Sequence, residues 1–337
     1  MNKKVILLKR PKGIPQEDDF AIIEEPIKAN FNDGEVLVKV KWISIDAAQR
    51  VWIAGSRSYI DPVSIGSVVK GLGVGQVIIS KTPLLKRGNY VAGFLHCQEF
   101  CKINASELWK LPSYENPQLY LGVLGITGLS AFFAIEELAK PNRRDTIVIS
   151  TAAGATGSIA CQLAKLRGAK VIGIAGSEDK CDYLRNELKI DAAINYKTAR
   201  SMNSALRELC PDGIDIYLDN VGGEILDAVL LNIKKHGKII ACGAIASYNS
   251  KKPKPIYNYP LIIALSLTVE GFIVWDYKNR FQLATRQLSR LVQEKQLIYK
   301  EHILEGIKKV PEALRLLMTG ENQGKLIVKL QHSDPHL

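Results

Sequence analysis

The hexapeptide Ala152-Ala-Gly-Ala-Thr-Gly157 joins an apolar run, Thr146-Ile-Val-Ile-Ser150, to a segment in which Ile159, Leu163 and Leu166 recur at spacings of four and three. That order is strand, small-residue turn, helix. Small residues there let the backbone turn tightly and approach a ligand closely, and the helix start offers N–H groups and a positive dipole to an anion. The anion this suits is the pyrophosphate of a dinucleotide. The spacing is that of G-x-G-x-x-G with Ala152 in place of the first glycine, so Gly154, Ala155, Thr156 and Gly157 are the expected contacts. A purely structural turn is the alternative.

A second group of residues bears on which dinucleotide. The next strand, Lys170-Val-Ile-Gly-Ile-Ala175, runs into Gly176-Ser-Glu-Asp-Lys180. An unphosphorylated cofactor asks for Asp or Glu here, about 20 residues past the glycines, to accept from the ribose 2′-hydroxyl. This strand ends instead in Gly176-Ser177, and Lys180 at the start of the following helix has the charge and reach for a 2′-phosphate. Glu178 and Asp179 point the other way, or serve as dipole partners on a helix's first turn. NADP(H) is therefore the expected cofactor.

Metal chemistry finds little to stand on. The six cysteines, at 97, 101, 161, 181, 210 and 242, form no C-x-x-C, and His96 beside Cys97 has no acidic or His partner close in sequence. The expectation is reduced thiols and no metal.

The elements that would position these residues fall into two rhythms. Up to about residue 110 short strands alternate with turns: Lys4–Leu8, Phe20–Ile23, Gly34–Trp42 and Gly73–Ile79. In the third, Val36, Val38, Val40 and Trp42 share a face, the pattern of a half-buried antiparallel strand in a partly open β-barrel. From about residue 119 strand, turn and helix repeat, with further strands at Asp191–Asn195, Ile214–Leu218 and Lys238–Cys242 and helices at Ser158–Arg167 and around Lys180–Leu188. That alternation predicts an α/β fold with a doubly wound, Rossmann-type parallel sheet. A last alternating segment, Gly324–Leu330, is placed to return to the first domain.

The whole composition agrees with a folded chain. Of 337 residues 47% are hydrophobic and 23% charged, which excludes disorder and fibrous repeats, and the length suggests two domains. The formal charge of +11 favours anionic ligands, yet no helix-turn-helix, finger or aromatic-basic platform accompanies it, so nucleic acid is not expected. The N-terminal MNKKVILLKRPKG has too short an apolar run for a secretory signal, and the uncharged stretches 116–135 and 146–164 are rich in Gly, Ser and Thr. A cytoplasmic location without membrane spans is expected.

Beyond these features the chain, over nearly its whole length, resembles the zinc-independent medium-chain reductases. These include leukotriene B4 12-hydroxydehydrogenase/prostaglandin reductases, plant alkenal double-bond reductases and bacterial quinone or curcumin reductase-like enzymes. The carriers include Gly34-Glu-Val-Leu-Val38, Gly125-Ile-Thr-Gly-Leu-Ser-Ala131, Ala153-Gly-Ala-Thr-Gly-Ser158, Asn195-Tyr-Lys-Thr198, Asp219-Asn-Val-Gly-Gly-Glu224, Cys242-Gly-Ala-Ile245 with Tyr248-Asn249, Gly271-Phe-Ile-Val274 and Asn322-Gln-Gly-Lys325. The resemblance implies a GroES-like catalytic domain, residues 1–122 and 302–337, around a Rossmann domain, 123–301, with the active site in the cleft. It also implies roles: Lys180 and Tyr196 grip the 2′-phosphate with Ser177 nearby. Thr127, Asn220, Val221, Cys242, Gly243, Ala244, Ile245, Tyr248, Phe272, Ile273 and Val274 line the cofactor, and Asn322 with Gly324 forms a late cofactor contact.

Zinc-dependent relatives carry a Gly-His-Glu segment where this chain has Val69-Lys-Gly-Leu-Gly-Val-Gly75. The resemblance therefore implies direct hydride transfer to the β-carbon of an α,β-unsaturated carbonyl, or to a quinone, and a homodimer joined by edge strands. Two tyrosines of the better-known members are replaced, by Ala48 and Ala264; Tyr59 is the candidate pocket hydroxyl, with Tyr257 and Tyr259 as further candidates and a packing role as the alternative. The alternative reading is an NADPH-binding sensor or crystallin-like structural protein.

Overall fold

The computed structural model describes residues 1–27, 30–56, 58–112, 115–250, 252 and 254–331. The chain divides into two compact units, Met1–Gly122 with Glu301–Leu337, and Val123–Lys300.

In the first unit β1 (Asn2–Leu7) pairs antiparallel with β2 (Phe20–Glu25). The long β3 (Glu35–Ser44) leads into α1 (Ala47–Ala54), followed by β4 (Gly73–Ser80), β5 (Tyr90–Gly93), β6 (Phe100–Asn104) and β7 (Trp109–Lys110). Along one edge β3 meets β4, and β5 and β7 continue the sheet; along the other its first half meets β6. Val36, Val38 and Val40 are wholly buried, as the alternation requires, but Leu37 is buried too and Trp42 is only half-buried. The ladder to β4 shifts register between Leu37 and Val38, where the extra residue is Ile78 of β4, and again between Val40 and Trp42, where it is Lys41 of β3 and interrupts the alternation before Trp42. Helix α1 opens with a capping box: Gln49 N donates to Asp46 and the Asp46 N–H donates to Gln49 Oε1 at 2.8 Å. Gly55, at φ +84, closes it in the left-handed conformation that a Cβ would disfavour.

The second unit begins with α2 (Ile126–Phe133). It then alternates β8 (Thr146–Ser150), α3 (Ala155–Leu166), β9 (Lys170–Ala175), α4 (Glu178–Asp182), β10 (Ala192–Asn195), α5 (Met202–Leu209), β11 (Ile214–Asp219), α6 (Gly223–Leu230) and β12 (Ile233–Ala241). Short helices α7 (Ile245–Tyr248) and α8 (Pro260–Ala264), strand β13 (Thr268–Gly271) and α9 (Phe281–Gln293) complete it. The six strands are all parallel in the order β10-β9-β8-β11-β12-β13, the doubly wound arrangement whose strand order reverses between β8 and β11. Ile147, Val148 and Ile149 of β8 have no exposed surface, as a strand covered on both faces requires.

Three details differ from the sequence reading. Helix α3 starts at Ala155 rather than Ser158, which puts Ala155, Thr156 and Gly157 in its first turn. The helix expected at Lys180–Leu188 starts at Glu178 and widens after Asp182 into a π-type turn, Tyr183–Glu187. The sheet has a sixth strand, β13, and β12 begins at Ile233 rather than Lys238.

The chain then returns to the first unit through β14 (Glu301–Glu305), α10 (Val310–Thr319) and β15 (Lys325–Lys329). Strand β15 pairs parallel with β14 and antiparallel with the end of β3. No helix among the described residues is long and apolar enough to cross a membrane.

Candidate active site

The C-terminal ends of the parallel strands gather most of the residues singled out in the sequence. At the end of β8, Thr151 adopts φ +52 and the chain folds back so that Gly154 N donates to Thr151 O at 2.9 Å. Gly157 is fixed by contact: a Cβ on it would lie 2.2 Å from Thr151 O and 2.8 Å from Ala152 Cα, both backbone atoms that cannot move aside. The helix start is thus pressed onto the loop. The N–H groups of Ala155, Thr156 and Gly157 lie in the first turn, which has no acceptors of its own within a helix.

One strand over, Ser177 caps α4 by accepting from Lys180 N at 3.4 Å. The pairing of β9 with β10 sets Ala175 opposite Asn195, and Tyr196 N donates to Ala175 O at 3.0 Å. A Cβ on Gly176 would lie 3.0 Å from the Tyr196 ring, so the glycine admits the tyrosine over the strand end. Burial, and next the ammonium of Lys197, push the Lys180 pKa below its ordinary value. Lys197 was not among the residues picked from the sequence; the β9–β10 register brings it there, one residue after Tyr196. Two cations, a hydroxyl and a phenol crowded together suit a dianion, which would relieve the repulsion between the lysines.

The ends of β11 and β12 are laced to each other and to β8. Buried Asp219 accepts at one oxygen from Tyr217 Oη at 2.9 Å, Val221 N at 2.9 Å and Gly222 N at 2.7 Å. Burial raises its pKa against the opposing effect of these bonds. Asn220 N donates to Ser150 Oγ at 2.9 Å and Asn220 Nδ2 to Ser150 O at 2.8 Å. Cys242 N and Gly243 N donate to Asp219 O, Ile245 N to Asn220 O, and Ala244 N to the Tyr248 hydroxyl at 3.2 Å. The result is a rigid rim of backbone at Asn220–Val221 and Cys242–Ile245. Asp219 is its organiser, a role the sequence did not reveal. The Cys242 thiol is pushed up to about 12, by burial first and then Asp219, and so remains protonated. Phe272, Ile273 and Val274 follow β13, with the Phe272 ring edge-on to Tyr277, and Thr127 lies in the first turn of α2.

The other expected residues belong to the first unit. Tyr59 is 51% exposed and packs edge-on against Trp52, ring centroids 6.4 Å apart. Asn322 is buried, and its Nδ2 donates to Gly324 O at 3.1 Å within a turn that Gly324 makes at φ +67. The next residue, buried Lys325, donates to Asp46 Oδ1 at 2.5 Å and Ile45 O at 2.9 Å, tying that turn to the start of α1. Cys97, Cys101, Cys161, Cys181 and Cys210 are buried and unbridged. Among the described residues no group of three or more His, Cys, Asp or Glu is placed to hold a metal ion.

A doubly wound sheet with a tight small-residue turn at its switch point and a basic cluster at the neighbouring strand end defines a dinucleotide-dependent oxidoreductase architecture. Residues 3–111 match the family described as N-terminal domain of oxidoreductase, and residues 155–290 that described as zinc-binding dehydrogenase. The chain is 42% identical to YfmJ of Bacillus subtilis, over 99% of this chain and 98% of that one. It is 35% identical to the 2-alkenal reductase (NADP(+)-dependent) of Nicotiana tabacum, over 97% of each. The crystal structure of CurA from Vibrio vulnificus in complex with NADPH superposes with a TM-score of 0.92 at 30% identity, covering 98% of this chain and 99% of that chain. The chain belongs to the medium-chain dehydrogenase/reductases, in the group that holds the alkenal and prostaglandin reductases.

Proposed function

We propose that this protein uses NADPH to reduce the C=C bond of small α,β-unsaturated carbonyl compounds, 2-alkenals and enones, or a quinone. The observation that carries the reading is the Lys180–Lys197 pair beside Ser177 and Tyr196, in a chain 35% identical to an NADP-dependent 2-alkenal reductase. When bound, NADPH supplies the hydride that reaches the acceptor's β-carbon.

The chain's own part is to bind, orient and shield. Ala155, Thr156 and Gly157, after Gly154, hold the pyrophosphate, and Ser177, Lys180, Tyr196 and Lys197 the 2′-phosphate. The Asn220–Val221 and Cys242–Ile245 rim, with Tyr248, Thr127 and Phe272–Val274, seats the nicotinamide half. Reduction leaves charge on the acceptor's oxygen, which a hydrogen-bond donor must meet, and the α-carbon must then gain a proton; Tyr59 is the hydroxyl we assign nearest that task. Keeping the Cys242 thiol protonated also suits the chemistry, since a thiolate would add to the same β-carbon.

We further infer a cytoplasmic homodimer paired through β13. All four residues of this edge strand are exposed, the apolar Val269 among them, and the segment before it in the chain carries the exposed Tyr257, Tyr259 and Ile263. Following NADPH absorbance with a panel of 2-alkenals, enones and quinones tests the activity. Consumption with at least one member is expected, and none with any would overturn the reading.

A further inference from the structure

Strand β11 runs through the middle of a parallel sheet, where apolar side chains are the rule, yet it carries Tyr217, which has no exposed surface. The ring belongs to the apolar core with Val148, Ile172 and Ile239, a place that phenylalanine would fill as well. Packing does not account for the hydroxyl. It donates to Asp219 Oδ1 at 2.9 Å, two residues on along the same face of the strand. Burial, and next the Asp219 carboxylate, push the phenol pKa well up, so it remains a donor at neutral pH.

The same Oδ1 accepts from Val221 N at 2.9 Å and Gly222 N at 2.7 Å, while the main-chain oxygen of Asp219 accepts from Cys242 N at 2.8 Å and Gly243 N at 3.0 Å. One residue thus fixes both stretches of the rim. The titratable groups that feel its charge are the Tyr217 phenol on β11, the Cys242 thiol after β12 and the Tyr248 phenol on α7, each held neutral by a raised pKa. From β8 the Ser150 hydroxyl meets the next residue, Asn220 N, and in the first turn of α6 Glu224 is engaged by Lys254. The carboxylate is therefore steadied by donors at Oδ1 rather than by a cation among these groups. Two of those donors are backbone, and the third is the Tyr217 hydroxyl.

We propose that Tyr217 is a positioning residue for the cofactor: its O–H, donated to Asp219, seats the carboxylate on Val221 N and Gly222 N and so holds the Asn220–Gly222 turn in the form that receives the nicotinamide half of NADPH. This rests on the NADPH-binding side of the reading above. A pH dependence follows. Burial already raises the Asp219 pKa against the pull of its three bonds, so removing one donor raises it further. The protonated acid is the weaker acceptor, and the turn loosens at a higher pH than in wild type.

Fluorescence titration of NADPH across a pH series, on wild type, Tyr217→Phe, Asp219→Asn and the double variant, provides the test. The pH below which the Kd for NADPH rises should lie about one unit higher in Tyr217→Phe, the effect of one hydrogen bond to a charged group. Asparagine does not titrate, so that limb should be missing from Asp219→Asn and from the double variant, and any limb common to all four proteins belongs to the cofactor. Coincident limbs in wild type and Tyr217→Phe, a shifted limb that survives in the double variant, or a loss of affinity that is the same at every pH and follows melting temperature would each overturn the proposal. Wild type alone gives a second readout, independent of how the variants fold. By linkage, the Asp219 carboxyl-carbon NMR resonance should titrate at lower pH in the NADPH complex than in the free protein, and an equal or higher midpoint would overturn the proposal. These measurements need no acceptor, so failure of every acceptor to oxidise NADPH would overturn the reductase activity alone.

Discussion

Replacing Lys180 by Ala removes one of two cations that the β9–β10 register sets side by side. Both burial and Lys197 already press the Lys180 pKa downward, so an isolated protein holds this charge at some cost. A 2′-phosphate reverses the balance. One charge-assisted hydrogen bond contributes about 1.5–3 kcal/mol, and because Lys197 retains part of the attraction the loss should sit near the lower end, about 1.5–2 kcal/mol. At about 1.4 kcal/mol per tenfold, this is roughly a 10- to 30-fold rise in the KM for NADPH. The KM for NADH should not rise, because NADH has no phosphate to lose. A consequence for protons follows. Phosphate favours the charged lysine, so wild type should take up protons on binding NADPH at alkaline pH, seen by calorimetry in buffers of different ionisation enthalpy, and the variant should take up fewer. The lowered lysine pKa also means that the unfolded chain binds this proton more tightly. Stability should therefore rise with pH through that window toward the unfolded value, and Lys180→Ala should flatten the rise. Equal increases in KM for NADPH and NADH, or no increase for NADPH, would refute the phosphate assignment.

Gly157→Ala should destabilise the fold by about 1–3 kcal/mol in denaturant melts and weaken NADPH binding in a fluorescence titration, because its Cβ meets backbone at 2.2 Å. At Asp219, Ala should cost roughly 3 kcal/mol by leaving the donors of Tyr217, Val221 and Gly222 unmatched, whereas Asn retains an acceptor oxygen for them. Burial raises the Asp219 pKa, so its stability contribution is present below the unfolded carboxyl pKa and lost as pH rises through the folded one. Urea titrations at several pH values should show that loss in wild type and not in Asp219→Asn. Val269→Lys, on the exposed edge strand, should convert a dimer into monomers by light scattering, and an unchanged mass would refute pairing through β13.

The parallel sheet was legible where composition and burial agree. Strands β8 and β9 fall on the boundaries read from their apolar runs, and Gly168 closes the intervening segment at φ +86. Strand β13 escaped because Thr268–Gly271 is exposed throughout, so no alternation betrays it, and the first half of β12 is broken by Lys234, Lys235 and His236. Trp42 was misplaced by a register shift that a strict two-residue period cannot contain. The Gly154–Gly157 turn and the Ser177–Lys180 cap are local, and local spacing displays them. Lys197 is neighbourly to Lys180 only through strand pairing, Asp219 organises its turn only because it is buried, and the Tyr217 hydroxyl gains a role only through its bond to that carboxylate. Each of these depends on three-dimensional placement rather than on residue order.

Transfer of deuterium from NADPH deuterated at the transferring position to 2-hexenal, followed by mass spectrometry of the product, tests the central claim most directly. Direct hydride transfer to the conjugated carbon yields the saturated aldehyde with the label on the β-carbon. Label on the carbonyl carbon in an allylic alcohol, or no transfer to this or any other conjugated acceptor, would contradict it.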